Sequence, residues 1–200
     1  MLSVLRIQDI RKSLLAQNLT FPPYEFRPGL AAVAMVLAGD DVRLQLCFIR
    51  RAEREGDPWS GHMAFPGGRA STLDKSAQAA AEREAYEEVG LMLGDAQLIG
   101  RLPDLPVHRA GIDTGIMLCS FVYYLGAEPV ALIPNHEVAW ASWIEMDYLW
   151  DERNRTKLNL VYNDVLMAFP AIPFRDQRIW GLTMRVLTLF GEAIGLPLPQ

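Results

Sequence analysis

The stretch that most constrains the fold is Gly61–Leu91, which joins three different patterns. An apolar run is broken by Pro66-Gly67-Gly68, an alanine-rich segment follows, and charged residues lead up to Gly90. Alanine favours helix, and a glycine suits the left-handed position at which helices end. The pattern predicts a helix over Asp74–Val89, with Asp74 as its N-terminal cap.

Three carboxylates share one face of this predicted helix, because Glu84, Glu87 and Glu88 stand at positions i, i+3 and i+4. Like charges repel one another, and the dipole disfavours negative charge near a helix C-terminus. Oxygen ligands of this kind suit hard cations such as Mg²⁺ or Mn²⁺. Taken alone, the carboxylates also fit a solvated acidic face in which Arg83 pairs with Glu87.

The order of these residues resembles the Nudix box, in which a glycine is followed by a glutamate and then by Arg-Glu-x-x-Glu-Glu-x-Gly. The positions that match are Gly68, Arg83, Glu84, Ala85, Glu87, Glu88, Gly90 and Leu91. Asp74 stands where the family has its first glutamate, and one additional residue precedes Arg83. This additional residue, with an Asp after the glycine pair, is typical of the coenzyme A pyrophosphatase branch. The resemblance favours a metal site over a solvated face.

The resemblance implies an α/β fold, the Nudix α/β/α sandwich, with a mixed β-sheet between helices and the box as a loop-helix-loop. It also implies that Glu84, Glu87, Glu88 and the backbone carbonyl of Gly67 bind the metal ion, Mg²⁺ or Mn²⁺. These residues would hold the ion against the diphosphate of a nucleotide.

Two further residues of the box receive roles from the same resemblance. Arg83 would orient the carboxylates, and Asp74 would tie the loop to the helix, with Arg83 as a candidate for its partner. Many Nudix enzymes use a carboxylate from outside the box, and Glu137, just before a predicted strand, is the candidate here. The general base is either Glu84 or Glu137. The alternative is that Glu137 is only a turn residue at the start of a strand.

The loop before the box also resembles coenzyme A pyrophosphatases, which have an Arg followed by Ser or Ala, a later Arg, and then Gly-x-x-x-Phe-Pro-Gly-Gly. Arg51-Ala52 and Gly61–Gly68 match the two ends of this motif. In the middle, Arg54 falls earlier, Asp57 stands near the place of the later Arg, and the loop is one residue longer.

Three arginines close to this loop are candidates for substrate binding, namely Arg50, Arg51 and Arg54, together with Gly68. Guanidinium groups pair well with phosphate oxygens. The alternative is a solvated strand end, because arginine is usually exposed.

A strand predicted over 96–105 ends in a proline-rich loop that contains His108 and Arg109. Both are candidates for substrate contacts, since loops near active sites often determine specificity. His108 is a third candidate for the general base. The alternative is that His108 is a solvated loop residue with no contact to the substrate.

The composition predicts one domain over residues 1–200, with an N-terminal helix and connector in 1–28 and a C-terminal helix in 176–200. The apolar spacing predicts helices over 3–18 and about 179–194. Packing of the N-terminal helix on the core is favoured over a membrane surface, because its polar face mixes both charge signs.

The charge balance and the cysteines narrow the class of protein. A net charge of −5 disfavours a broad nucleic-acid surface, although a local basic patch stays open. Cys47 and Cys119 lie in apolar runs and are predicted to be buried thiols. The chain has no apolar run long enough for a membrane span and no signal peptide pattern, so we expect a cytoplasmic protein.

The predicted activity is divalent-metal-dependent hydrolysis of a nucleoside diphosphate linked to another moiety. Coenzyme A or a derivative is the expected substrate, which would give 3′,5′-ADP and 4′-phosphopantetheine. An ADP-ribose or nucleotide-sugar pyrophosphatase is the alternative within the class, and a catalytically silent nucleotide sensor is the alternative outside it. The expected partner is the nucleotide itself; the oligomeric state stays open, with a homodimer among the choices.

Overall fold

The computed structural model describes residues 6–17, 19–21, 23–95, 97–109, 111–162 and 165–199, without the side chain of residue 162. Within this part the helices are α1 (Ile7–Ala16), α2 (Ala77–Val89), α3 (Met146–Trp150) and α4 (Gly181–Ala193), with a 3₁₀ turn at Glu152–Asn154. The strands are β1 (Leu30–Ala38), β2 (Gln45–Arg51), β3 (Met63–Ala64), β4 (Gly67–Arg69), β5 (Leu98–Arg101), β6 (Leu105–Arg109), β7 (Ile112–Tyr124), β8 (Val138–Glu145), β9 (Thr156–Tyr162), β10 (Val165–Phe174) and β11 (Gln177–Trp180).

A mixed sheet forms the centre of the fold. Its main path is β3-β2-β1-β7-β5, with β4 paired to β1, β6 to β7 and β8 to β2. The β1–β7 pair is parallel, and the other pairs of this sheet are antiparallel. Strands β9, β10 and β11 make a separate antiparallel sheet.

Helices cover both faces of the mixed sheet, as strand β1 shows. Its side chains alternate between faces, as extended backbone requires. Ala32 and Ala34 belong to the apolar cluster with the alanines of α2, whereas Met35 and Leu37 belong to the cluster with α1, α3 and α4. The predicted arrangement of a mixed sheet between helices is therefore confirmed.

Helix α2 begins later than predicted, and Asp74 is not its cap. Ser76 is the N-cap, and its hydroxyl accepts a hydrogen bond from the backbone N–H of Ala79 at 3.0 Å. Gly90 ends the helix with φ +74°, the left-handed conformation that glycine adopts at little cost. Asp74 is thereby left free for a contact with Arg83.

Several predicted boundaries were wrong. His108 and Arg109 lie on strand β6, not in a loop, because the segment pairs with β7. The strand predicted over 96–105 is divided between β5 and β6, and residue 96 lies outside the described part. The C-terminal helix begins at Gly181, because residues 177–180 pair with β10. The N-terminal helix occupies 7–16, and the ends of the predicted range, 3–5 and 18, are outside the described residues.

None of the described helices combines the length and the apolar character that a membrane-crossing helix needs.

Candidate active site

A pocket of about 700 Å³ opens between the glycine pair of β4, helix α2, the loop 52–62 and the start of α4. At one end it is lined by carboxylates and glycines: Gly67, Gly68, Glu84, Glu88 and Glu137. Arginines at its rim are Arg51, Arg54 and Arg69, and the rest of the wall is mostly apolar. The pocket therefore has a charged end and an apolar end.

Two carboxylates of α2, Glu84 and Glu88, face this pocket from successive helical turns. Glu88 is 2% exposed and accepts a hydrogen bond of 2.8 Å from the backbone N–H of Gly67. The pKa of Glu88 is raised to about 8, mainly by burial and also by the charges of Glu84 and Glu137, against the opposing effects of the Gly67 hydrogen bond and the Arg51 charge. Burial also raises the pKa of Glu84. Three carboxyl groups thus lie at one end of the pocket, where burial and mutual repulsion favour the protonated form of Glu88.

The glycine pair allows close packing of β4 at this end of the pocket. A Cβ at Gly68 would lie 2.5 Å from Cδ of Glu84, a distance that excludes any larger residue without movement of the glutamate. Gly67 has φ +155°, which L-amino acids rarely adopt, and its strand pairs with β1. A Cβ at Gly67 would lie 2.3 Å from the carbonyl oxygen of Ala32, so glycine at this position lets β4 approach β1, whereas Gly68 leaves room for Glu84.

Arg83 connects the loop of the box to its helix. Its Nε and Nη2 donate to the two carboxylate oxygens of Asp74 at 3.0 and 3.1 Å, and the Asp74 side chain is only 5% exposed. Its Nη1 donates to Glu84 at 2.9 Å and to Glu87 at 3.2 Å. The hydrogen bonds to Asp74 are the main reason that the pKa of Arg83 is raised. The predicted tie between Asp74 and Arg83 is present.

The donor set suits a hard divalent cation. Within the described ranges, no three His, Cys, Asp or Glu side chains are already gathered closely enough to hold a metal. Instead, Arg83 donates to Glu84 and Glu87, and Glu88 accepts a hydrogen bond from Gly67. Glu84 and Glu88 nevertheless bring carboxylate oxygens to one end of the pocket, and such oxygens are the ligands that Mg²⁺ and Mn²⁺ take. The residues therefore fit the metal ion.

The loop 52–62 positions one arginine at the rim. Nη2 of Arg51 donates to Asp57 at 2.7 Å, and the other oxygen of Asp57 accepts from the backbone N–H of Trp59 at 2.9 Å. Burial would raise the pKa of Asp57, but these hydrogen bonds outweigh it and the pKa lies below its ordinary value. Asp57, at the place of an expected arginine, orients Arg51. Arg50 instead pairs with the exposed Glu53 at 2.9 Å.

The apolar end of the pocket includes two aromatic residues that the sequence did not single out. The His62 ring lies 4.9 Å from that of Trp180, and both line the pocket. Burial lowers the pKa of His62, which favours the neutral imidazole. Trp180 is far from the box in sequence, although it belongs to the Ile-Trp-Gly segment before α4. Only the packing of β11 on β3 brings the two together.

The candidate residues fall into two groups. Those that line the pocket are Gly67, Gly68, Glu84, Glu88, Glu137, Arg51 and Arg54. Those outside its lining are Arg83, Glu87, Arg50, His108 and Arg109. Glu87 projects outward with 52% of its side chain exposed, so the predicted face of three carboxylates presents two to the pocket. The roles of all these residues stay predictions.

Comparison with known proteins identifies the type of domain. The family model described as NUDIX domain matches residues 28–167, which is more than half of the chain. A solved structure, a MutT/nudix family protein from Enterococcus faecalis, aligns with a TM-score of 0.57 and 18% identity. It covers 90% of this chain and 67% of the other, and at this identity it supports the fold alone.

Two curated relatives are similar over most of the chain. Nudix hydrolase 22, chloroplastic, from Arabidopsis thaliana is 41% identical over 172 residues, covering 82% of this chain and 55% of the relative. Peroxisomal coenzyme A diphosphatase ndx-8 from Caenorhabditis elegans is 30% identical over 161 residues, covering 78% of this chain and 64% of the relative. The chain therefore spans less than two thirds of the length of these relatives. Their names place them in organelles, so the cytoplasmic location stays a prediction.

Proposed function

Because this chain belongs to the NUDIX domain family, we propose that it is a pyrophosphohydrolase, one that cleaves a nucleoside diphosphate linked to another moiety with the help of Mg²⁺ or Mn²⁺. The observation that supports this best is the convergence of Glu84, Glu88 and Glu137 at one end of a pocket with arginines at its rim. A diphosphate bound there would meet metal-binding oxygens on one side and guanidinium groups on the other.

The residues that would hold the metal ion are Glu84, Glu87, Glu88 and the carbonyl of Gly67. When bound, the ion would neutralise the diphosphate and lower the pKa of the attacking water. Arg83 holds Glu84 and Glu87 through one nitrogen and is itself held by Asp74, so it presets the side-chain positions. To bind the same metal ion, Glu84 and Glu87 would have to give up their hydrogen bonds with Arg83.

The general base is Glu84 or Glu137, because both face the pocket as carboxylates. The raised pKa of Glu84 makes it a stronger proton acceptor than an ordinary glutamate when it is ionised. Glu137 lies immediately before β8, where its backbone N–H donates to the side-chain oxygen of Asn135 at 2.8 Å. Single substitutions of each residue by glutamine separate the two roles.

The proposed substrate is coenzyme A or one of its derivatives, with 3′,5′-ADP and 4′-phosphopantetheine as products. Similarity to the peroxisomal coenzyme A diphosphatase supports this choice. The second candidate is ADP-ribose or a nucleotide sugar, and the observation that favours it is Asp57, which occupies the place of an expected phosphate-binding arginine. A catalytically silent sensor is disfavoured by the presence of Glu84, Glu87 and Glu88 together, since a module that only binds need not keep a metal site.

The deciding experiment incubates the protein with Mg²⁺ or Mn²⁺ and each of coenzyme A, ADP-ribose, nucleotide sugars and dinucleoside polyphosphates. Products are separated by chromatography, and kcat/KM is measured for each substrate. We expect coenzyme A to give the highest value. Preference for ADP-ribose would replace the substrate proposal, and no turnover of any member of the panel would refute the enzymatic proposal.

Variants test the assignment of the carboxylates. Glu84→Gln and Glu88→Gln are each expected to lower kcat by about a hundredfold or more, because each removes a negative oxygen from the metal site. Glu192→Gln, an exposed carboxylate in the last turns of α4, is the matched control and is expected to retain activity. Near-normal rates in either box variant, with the circular dichroism spectrum unchanged, would contradict the assignment.

A further inference from the structure

The hairpin of β9 and β10 extends beyond the part of its sheet that the rest of the chain covers. Its root is packed, since Ala171 and Ile172 are fully buried. Further out, the four consecutive residues 165–168 are exposed, so both sides of the strand face solvent. A two-stranded hairpin without a packed side is only marginally stable in water. A contact with another molecule would therefore stabilise the outer part of this hairpin.

The outer hairpin is also poor in charge for an exposed segment. Lys157 is the only charged residue in 156–162 and 165–171, whereas 22% of the whole chain is charged. Four of its large apolar side chains are exposed, namely Val161 (69%), Val165 (60%), Leu166 (68%) and Met167 (39%). Few charges together with exposed apolar residues are typical of a surface that contacts another protein.

Strand β9 has a free edge, which restricts the kind of partner. It lies at the end of the order β11-β10-β9, and within the described residues only β10 pairs with it. Pro170 has no N–H and lies opposite Lys157, so this pair is one that exchanges no hydrogen bonds. Because such pairs alternate with bonded ones, the backbone groups of Lys157, Asn159 and Val161 are directed to the free edge. Another strand can pair with this row of donors and acceptors, whereas a lipid surface cannot.

A second copy of β9 fits this edge. Antiparallel pairing about a two-fold axis at Asn159 would engage all seven residues of the strand, Thr156–Tyr162. In this register Leu158 lies opposite the partner's Leu160, and Lys157 lies opposite the partner's Val161. The two lysines are then four residues apart along the ribbon, about 13 Å, so like charges do not face each other.

We propose that β9 is the contact through which two copies of this chain associate, which joins their small sheets into one antiparallel sheet of six strands. The inference is independent of the proposed function, because strand pairing needs neither a metal ion nor a substrate. One strand of seven residues from each copy makes a small interface. We therefore expect a reversible dimer with Kd of about 10 µM.

Sedimentation of the full-length protein over a series of concentrations tests the association. Val161→Lys is expected to raise the Kd of the dimer at least about tenfold. The new lysine would lie opposite the partner's Lys157 twice in each dimer, and like charges directly opposite one another destabilise strand pairing. Leu166→Lys is the matched control, because Leu166 lies beside Val161 with nearly the same exposure but on β10, away from the free edge. It is expected to change Kd less than about threefold.

A compensating substitution tests the register itself. Lys157→Glu combined with Val161→Lys would place opposite charges across the two-fold axis, and Kd is expected to return to within about threefold of the wild type. Within one copy these two positions are about 13 Å apart, so an ion pair inside the strand does not explain a rescue. Asn159→Pro removes an N–H from the free edge and leaves the ladder with β10 intact, so it should also weaken the dimer at least about tenfold.

Thermal unfolding of each variant, at a concentration at which the wild type is monomeric, monitors the fold. Three outcomes would overturn the proposal. The first is a wild-type chain that sediments as a monomer at every concentration, including one that binds lipid vesicles instead. The second is an equal effect of Val161→Lys and Leu166→Lys. The third is a folded double variant that does not regain association.

Discussion

Glutamine in place of Glu88 should make the metal-free protein more stable at alkaline pH. Glu88 is 2% exposed, and its pKa lies at about 8 against an ordinary value of 4.5. Because the folded pKa is raised, the folded state binds more protons than the unfolded chain between these pH values. The stability contributed by the protonated carboxyl is therefore complete below pH 4.5 and is lost as the pH rises to about 8.

The magnitude follows from the same two values. A pKa difference of this size between the folded and the unfolded state corresponds to a free energy of about 5 kcal/mol. The pocket admits solvent, so we expect about 2–3 kcal/mol to be observed. Glutamine has nearly the same shape and can still accept the hydrogen bond from Gly67, but it does not ionise. Glu88→Gln should therefore exceed the wild type in stability by about 2–3 kcal/mol at pH 8.5 and by less than about 1 kcal/mol at pH 5.

Urea unfolding with a chelator at pH 5, 7 and 8.5 measures this difference, with Glu192→Gln as the control for charge in general. Addition of Mn²⁺ at pH 8.5 should stabilise the wild type but not Glu88→Gln, since ligands stabilise the state that binds them. A stability difference independent of pH would refute the reasoning, because it would mean that Glu88 does not retain its proton when the protein folds.

Three further substitutions test the surrounding contacts. Gly68→Ala should weaken Mn²⁺ binding at least about tenfold in a titration, because a Cβ would lie 2.5 Å from Cδ of Glu84; unchanged affinity would contradict this. Asp57→Ala should raise KM about tenfold with a smaller effect on kcat, because Arg51 loses its partner. Glu53→Ala is the control: it breaks the exposed pair with Arg50 and should leave KM unchanged. Asp74→Asn should lower the free energy of unfolding by about 1–3 kcal/mol, since it leaves Arg83 without its bidentate carboxylate; a loss below about 0.5 kcal/mol would show that this pair is not structural.

The central helix and its chemistry could be predicted from the sequence because they depend on local spacing. Alanines, a terminal glycine and glutamates one turn apart specify a helix with a carboxylate face, whatever surrounds it. The contact between Asp74 and Arg83 was also predictable, since both belong to the same motif. The N-cap was not, because Ser76 and Asp74 are both good caps and the loop decides which one reaches the helix.

Tertiary structure decided which of these side chains share a pocket. Glu88 is buried against Gly67 because β4 pairs with β1 beneath α2, while Glu87, one residue earlier on the helix, is exposed. His108 moved from a predicted loop to a strand because β7 is long enough to pair with it. These outcomes depend on strand register between segments far apart in the chain, which local patterns do not encode.

The sequence by itself therefore determined the α2 helix, its carboxylates and the type of bond that they suit. Only the tertiary structure decided which residues surround the rest of the substrate. Asp57 turns out to hold Arg51, and Trp180 reaches His62 from 118 positions along the chain, through the pairing of β11 and the packing of α4. A short motif can be recognised in the sequence because the catalytic site needs few residues at fixed spacing. The walls of the pocket, in contrast, come from strands that are far apart in the chain.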